Sequence, residues 1–185
     1  ENDERSAAAK FISILINKMV DVFKKDRPDF VLILGDRPEM LSVALVCLYL
    51  GIPTGHIHGG EKTTTVDELA RHAITKLAHL HFPATKEAAE RIAKMGEEGW
   101  RINIVGAPAL DIILYKPLPS REKLFKNLGL DSKKPVILLT QHAVSEEYKK
   151  FGKQIVETIA AVKSFNMPVV AIYPNSDAGG RRIIG

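Results

Sequence analysis

Between Gly55 and His72 the sequence reads GHIHGGEKTTTVDELARH, and it gathers three of the chain's six histidines with Glu61, Asp67 and Glu68. Three chemistries draw on such a mixture. Histidines and carboxylates can ligate a metal, a glycine turn can let a phosphate approach, and acid and base groups can move protons on a sugar. His56 and His58 alternate along an expected strand, so they should share a face. A metal would need a third ligand, and His72, His79 and His81 offer no matching local spacing. His79 and His81 fall at a helix end and a strand start and read as structural or surface residues. Gly59-Gly60 reads as backbone that admits a ligand. It lacks the glycine spacing of a dinucleotide fingerprint.

Other candidates follow expected strands. Asp36 and Arg37 come after FVLIL. Asp36 could act as a base, and Arg37 could fork onto a phosphate or carboxylate. The plainer alternative makes either one a helix cap ahead of Pro38. Asp67 and Glu68 open a helix, where negative charge is favourable in any case, and Asp67 could pair with Arg71 one turn on. His142 follows VILLT, and Asn175 and Asp177 follow VVAIY. In an open parallel sheet, ligands bind beyond the carboxyl ends of the strands. Ionisable groups at most of these ends therefore favour a site.

Six short apolar runs must position these residues: 30–35, 53–59, 80–85, 102–106, 135–141 and 168–174. They are rich in Val, Ile and Leu, and the fully apolar ones do not alternate, as expected of parallel strands covered on both faces. Helical spacing fills the gaps at 6–25, 38–51, 66–80, 85–96 and 145–165. Thr85 could cap the fourth of these, with Ala88 where a capping-box Glu would stand. The rhythm predicts an α/β doubly wound fold. Residues 1–114 form most of one Rossmann-like domain. Residues 115–134, with two prolines and a third just after at Pro135, are a linker holding a short helix at 120–128, and 135–185 begin a second Rossmann-like domain. The opening helix without a preceding strand, and a second domain with only two strands, suggest a chain truncated at both ends.

Composition narrows the class. The 185 residues are 45% hydrophobic and 26% charged, ordinary for a soluble globular protein. No apolar run reaches the roughly 18 residues of a membrane span, and the charged start has no signal-peptide core. Cys47 is a single cysteine and reads as a buried structural thiol. The expected location is cytoplasmic, with no membrane partner. The net charge of +4 is scattered among acids, and no basic tract alternates with aromatics, so no nucleic-acid partner is expected.

Taken together, GDRPEMLSVAL, IPTGHIHGGE, DELARHAITKLAHLHFPAT, INIVGAPALD, LLTQH and YPNSDAG resemble the UDP-N-acetylglucosamine 2-epimerases. RHAITKLAHLHF after a GGE turn looks most like the hydrolysing, sialic-acid-pathway branch. The resemblance implies two Rossmann-like domains of the glycosyltransferase-B type. It implies loss of the C2 proton and of UDP to give a 2-acetamidoglucal, then hydration to N-acetylmannosamine. It also implies a UDP-sugar substrate, no redox cofactor, no metal, and a homo-oligomer, dimer or tetramer. The alternatives are a non-hydrolysing 2-epimerase, a non-catalytic nucleotide-sugar-binding module and a metallohydrolase.

By position, Asp36 and Asp67 match catalytic carboxylates of the family. Arg37 matches an arginine of the hydrolysing branch, and His142 a histidine near the diphosphate. Asn175 and Asp177 match a turn that helps hold the nucleotide. Two departures stand out. Many relatives have Glu where this chain has His58, with Glu61 three residues on, and many have Pro where it has Ala143. Either His58 takes an acid/base role, or Glu61 covers it, or the sugar differs.

Overall fold

The computed structural model describes residues 5–63, 65–142 and 150–174. They fall into two compact units, Arg5–Asp111 and a second that begins at Ile112. In the first, α1 (Arg5–Lys25) leads to β1 (Val31–Leu34), α2 (Pro38–Leu50), β2 (Thr54–Ile57), α3 (Val66–Leu77), β3 (Leu80–Phe82) and α4 (Lys86–Lys94). The strands form one parallel sheet in the order β1-β2-β3. α5 (Pro108–Tyr115) crosses from one unit to the next. The second unit continues with α6 (Arg121–Asn127), β4 (Ile137–Thr140), α7 (Phe151–Lys163) and β5 (Val169–Ile172), in which β4 and β5 pair in parallel.

Local chemistry sets these boundaries. α2 starts on Pro38, whose ring fixes a helical φ, and stops on Gly51 at φ 63°, a left-handed cap that suits glycine. The Thr85 hydroxyl accepts the Ala88 N–H at 3.2 Å and caps α4 without help from a capping-box acid. Ile33, Ala44 and Ile74 form a buried cluster, with Val31, Met40, Leu41, Val43 and Leu77 packed around it. Val31 and Ile33 therefore face α2 and α3. Cys47 lies fully buried among these helices, and burial pushes its thiol up.

Three expectations change. Leu32 and Leu34, on the other face of β1, are 61% and 54% exposed, so the described residues cover that strand on one face only. The run 102–106 is not a full strand. It touches β3 through a single bridge, His81 to Ile102, and through hydrogen bonds from Asn103 and Val105 to the His81 and Pro83 carbonyls. α5 is a helix where the sequence reading places none. Its apolar residues lie all round the helix and none is buried, so it shows no periodic stripe to read. Residues 145–149 of the expected fifth helix lie outside the described residues.

Candidate active site

β1 ends at Leu34, and Gly35 turns the chain at φ 80°. The next residue is Asp36. Its carboxylate Oδ2 pairs with the Nη2 of Arg71, a buried side chain on α3. The other guanidinium nitrogen of Arg71 donates to the Glu61 carbonyl at 2.8 Å and reaches the Thr63 hydroxyl at 3.5 Å. A single buried cation thus ties the turn after β1 to the turn after β2. A buried charge is tolerated where it is paired and hydrogen-bonded like this. Arg37 is the N-cap residue of α2, with no side-chain cap bond. Of the two capping candidates, Arg37 thus takes the position, while Asp36 spends its carboxylate on Arg71.

The turn after β2 is fixed from three sides. The His58 N–H still donates to the Phe82 carbonyl at 3.1 Å, one residue past the strand. His58 then adopts φ 64°, a left-handed conformation uncommon for a non-glycine residue. This overturns the expectation that His56 and His58 share a face, because the backbone leaves the pleat between them. Gly60 follows at φ 79°, and a Cβ there would meet Ile92 of α4 at 2.8 Å and crowd the Ala88 carbonyl. Only glycine fits. The Gly60 carbonyl accepts from Arg91 of α4. Beyond the turn, the Thr63 N–H donates to Glu68 Oε2 at 2.7 Å and the Thr65 hydroxyl to Asp67 Oδ2 at 3.2 Å. The start of α3 is thereby locked to the same loop.

The histidines divide by environment. His56 is fully buried. Its Nε2 lies 2.8 Å from the Gly35 carbonyl and its Nδ1 3.1 Å from the Thr75 hydroxyl. Burial pulls its pKa down to about 4, against the hydrogen bond to Gly35, so the ring is neutral. Both nitrogens are taken, which leaves none for a ligand. His58 is part-exposed and holds Glu61 Oε1 through Nδ1 at 2.7 Å. His72 lies against Glu68, with 3.8 Å between Nε2 and Oε1. His81 is buried in β3, with Nε2 at 3.1 Å from Glu97. Burial holds the His81 pKa below its ordinary value. Burial alone would raise the Glu97 carboxyl, but hydrogen bonds from Lys76 and His81 outweigh that and hold it low.

This unit therefore brings Asp36, Arg71, Glu61 and His58 together at the carboxyl edge of the sheet, while Asp67 stands on the first turn of α3. Arg37 is near in sequence and pairs with exposed Glu39 at 3.4 Å. His142 follows β4 in the second unit and is exposed. Asn175 and Asp177 lie outside the described residues.

The sequence profile of the UDP-N-acetylglucosamine 2-epimerases matches residues 1–185. The chain belongs to this family. It is 41% identical over 182 residues to the Legionella pneumophila "UDP-N,N'-diacetylbacillosamine 2-epimerase (hydrolyzing)", covering 98% of this chain and 48% of that protein. It is 34% identical to the Campylobacter jejuni "GDP/UDP-N,N'-diacetylbacillosamine 2-epimerase (hydrolyzing)", covering 97% and 47%. The chain spans about half the length of the curated relatives it matches. Its fold is similar to that of the Neisseria meningitidis UDP-GlcNAc 2-epimerase solved bound to UDP-GlcNAc, with TM-score 0.75 and 20% identity over 99% of this chain and 52% of that one. The α/β fold with parallel sheets is thus that of the 2-epimerases.

Within this 2-epimerase chain, the side chains that hold the candidate site in shape are the ones sequence reasoning missed. Arg71 was placed opposite Asp67, four residues back, and its guanidinium reaches Asp36, 35 residues away in the chain. Arg91 and Thr75 carried no local signal at all.

Proposed function

We propose that the chain forms part of a hydrolysing 2-epimerase that takes a UDP-linked 2-acetamido sugar and releases the free C2 epimer and UDP. The observation that carries this reading is the cluster of Asp36, Arg71, Glu61 and His58 at the carboxyl ends of β1 and β2. The names of the two relatives at 41% and 34% identity support the hydrolysing outcome.

The reaction runs in two stages. The C2–H bond breaks, its electron pair forms the C1–C2 double bond, and the C1–O bond to UDP breaks with its pair leaving on the diphosphate. Water then adds at C1, while a proton returns to C2 on the opposite face. Substrate and products are at the same oxidation level overall, so no redox cofactor is required. The carbon acid is weak, so positioned proton-transfer groups are needed, and cations must meet the charge that grows on the diphosphate. Asp36 and Asp67 serve the proton transfers, with the His58–Glu61 turn assisting. Arg37 and His142 serve the diphosphate, and Asn175 and Asp177 the nucleotide.

The sugar is N-acetylglucosamine, giving N-acetylmannosamine, or its 2,4-diacetamido relative, which the names of both relatives favour. Product analysis by NMR on the full-length protein decides the reading. Free epimerised sugar with UDP is expected. A UDP-linked epimer would mark a non-hydrolysing 2-epimerase, and binding without turnover a non-catalytic module.

A further inference from the structure

Two histidines two residues apart are held through opposite ring nitrogens. At His56 the Gly35 carbonyl can only accept, so Nε2 carries the proton, while Nδ1 lies 3.1 Å from the Thr75 hydroxyl. At His58 the order is reversed. The Glu61 carboxylate can only accept, so the proton sits on Nδ1, 2.7 Å from Oε1. In the neutral ring the lone pair is then on Nε2, which makes no hydrogen bond to any described residue and belongs to a side chain 25% exposed.

The backbone adds a second observation. His58 and Asn166 are the non-glycine residues at positive φ among those described. Asn and His visit that region more often than other non-glycine residues, yet it stays uncommon for either. Strain of this kind gathers at functional sites because the surrounding structure over-determines it. Here the over-determination is visible, in the His58 N–H on Phe82, the Gly60 carbonyl on Arg91 and the Glu61 carbonyl on Arg71. Three anchors hold a left-handed histidine at the mouth of the strand ends, with its free nitrogen away from the carboxylate that orients it.

The geometry points to His58 Nε2 as the atom that takes the C2 proton of the sugar, with Glu61 as the positioning residue behind it. This rests on the epimerase reading above and gives it an atom. The C2–H pair becomes the C1–C2 double bond, the proton forms a bond to Nε2, and the C1–O pair leaves with UDP. The imidazolium that results is stabilised by the Glu61 carboxylate on its far side, as a carboxylate behind a catalytic histidine does elsewhere. The carboxylates Asp36 and Asp67 then serve the opposite face and the incoming water. Glu61 itself does not touch the substrate.

The test uses the full-length protein labelled with 15N-histidine, its His58 signals identified by their loss in His58→Gln. The Nδ1-protonated tautomer is expected in the wild type, and its bias should disappear in Glu61→Gln, whose amide can donate as well as accept. With a UDP-2-acetamido sugar, His58→Gln should lower kcat by roughly 10²–10⁴-fold. Glu61→Gln should lower it roughly tenfold to a hundredfold, as expected of a group that acts through another, with KM little moved and a C2-deuterium isotope effect still expressed. UDP calorimetry checks that the site of each variant is intact, and Glu61→Gln, on a half-buried carboxylate, carries the test if His58→Gln does not fold. An Nε2-protonated tautomer in the wild type, or turnover with an unimpaired His58→Gln, overturns this assignment alone. No turnover of either UDP-sugar by the wild type overturns the epimerase reading and this assignment with it.

Discussion

Among its described residues the first unit contains two hydrogen-bonded histidine–glutamate pairs, His58–Glu61 at 2.7 Å and His81–Glu97 at 3.1 Å, beside the looser His72–Glu68 contact. Their settings are opposite. Glu97 is buried and also meets Lys76 at 2.6 Å and Arg101 at 3.2 Å. Its partner His81 is fully buried within β3. Both oxygens of that carboxylate are engaged, one with Lys76 and the other with His81 and Arg101, and Arg101 also ties the Ala78 and His79 carbonyls. Glu61 has one side-chain partner recorded among the described residues, and its pair stands at the carboxyl edge of the sheet with a free imidazole nitrogen. The same two side chains thus build a clamp in one place and a proton-transfer dyad in the other. What separates them is solvent access and the number of cations around the carboxylate, and neither can be read from the residue types.

The sharpest way to break this contrast is to change chemistry at the rim without changing shape. Asp36→Asn and Asp67→Asn are nearly isosteric and should each lower kcat by about 10²–10⁴-fold while UDP binding by calorimetry stays close to wild type. His81→Gln should leave kcat per folded molecule unchanged. An equal loss of kcat in His81→Gln would erase the distinction between the pairs. His58→Glu sharpens it further. If His58 is an obligatory proton acceptor, that variant should be as slow as His58→Ala, whereas retained activity would mean that any base at this position suffices.

Acid should weaken the fold through its buried histidines. His56 titrates near 4 when folded, against 6.5 for an unburied imidazole. Between those values the unfolded chain binds a proton that the folded chain refuses. The His56 contribution is therefore complete above about pH 6.5, falls as pH drops, and is fully lost below about pH 4, for a total of about 3 kcal/mol. The depressed His81 acts in the same sense. Urea midpoints at pH 7.5 and pH 5 measure the slope, and it should be visibly shallower in His56→Gln. An unchanged slope would show that burial of His56 does not govern it.

Smaller effects follow. Glu97→Gln should cost about 2 kcal/mol of stability, since it leaves Lys76 and Arg101 without their counter-charge and weakens the hydrogen bond to the His81 ring. Its thermal midpoint should fall with kcat intact, the reverse of Asp67→Asn. Arg37→Ala should weaken UDP binding by about 2 kcal/mol, typical of a charged hydrogen bond, with little effect on the folding midpoint because the Arg37–Glu39 pair is exposed. Undiminished UDP affinity in calorimetry would remove Arg37 from the diphosphate.

Most strands and helices were legible because their signals are local. Pro38 and Gly51 bracket α2, and fully apolar runs mark β1 and β4. The run 102–106 carries the same apolar signal but makes one bridge only, since strand pairing depends on a neighbour the run does not contain. At the site, the placement of Asp36, His58 and Glu61 just beyond strand ends followed from topology alone. The partner of Arg71 did not. A helical i, i+4 rule proposes Asp67, but the turn after β1 delivers Asp36, and only the folded sheet decides. The facing of His58 was misjudged for a related reason. Period-two alternation ends where the backbone turns left-handed, and no side-chain pattern announces that φ.

The anchors of the His58–Glu61 turn also set the order in which the site can come into being. Arg71 lies 10 residues and Arg91 31 residues downstream of the carbonyls they hold. A chain emerging from synthesis has the turn long before it has the guanidiniums. Contacts of that separation form only after the intervening loops close. The left-handed His58 is therefore a late acquisition: the strand must pair, α3 must dock, and α4 must arrive over Gly60 before the imidazole is aimed. Any lesion that slows the docking of α4 will delay the moment at which the rim becomes competent, even when every side chain on the rim is intact.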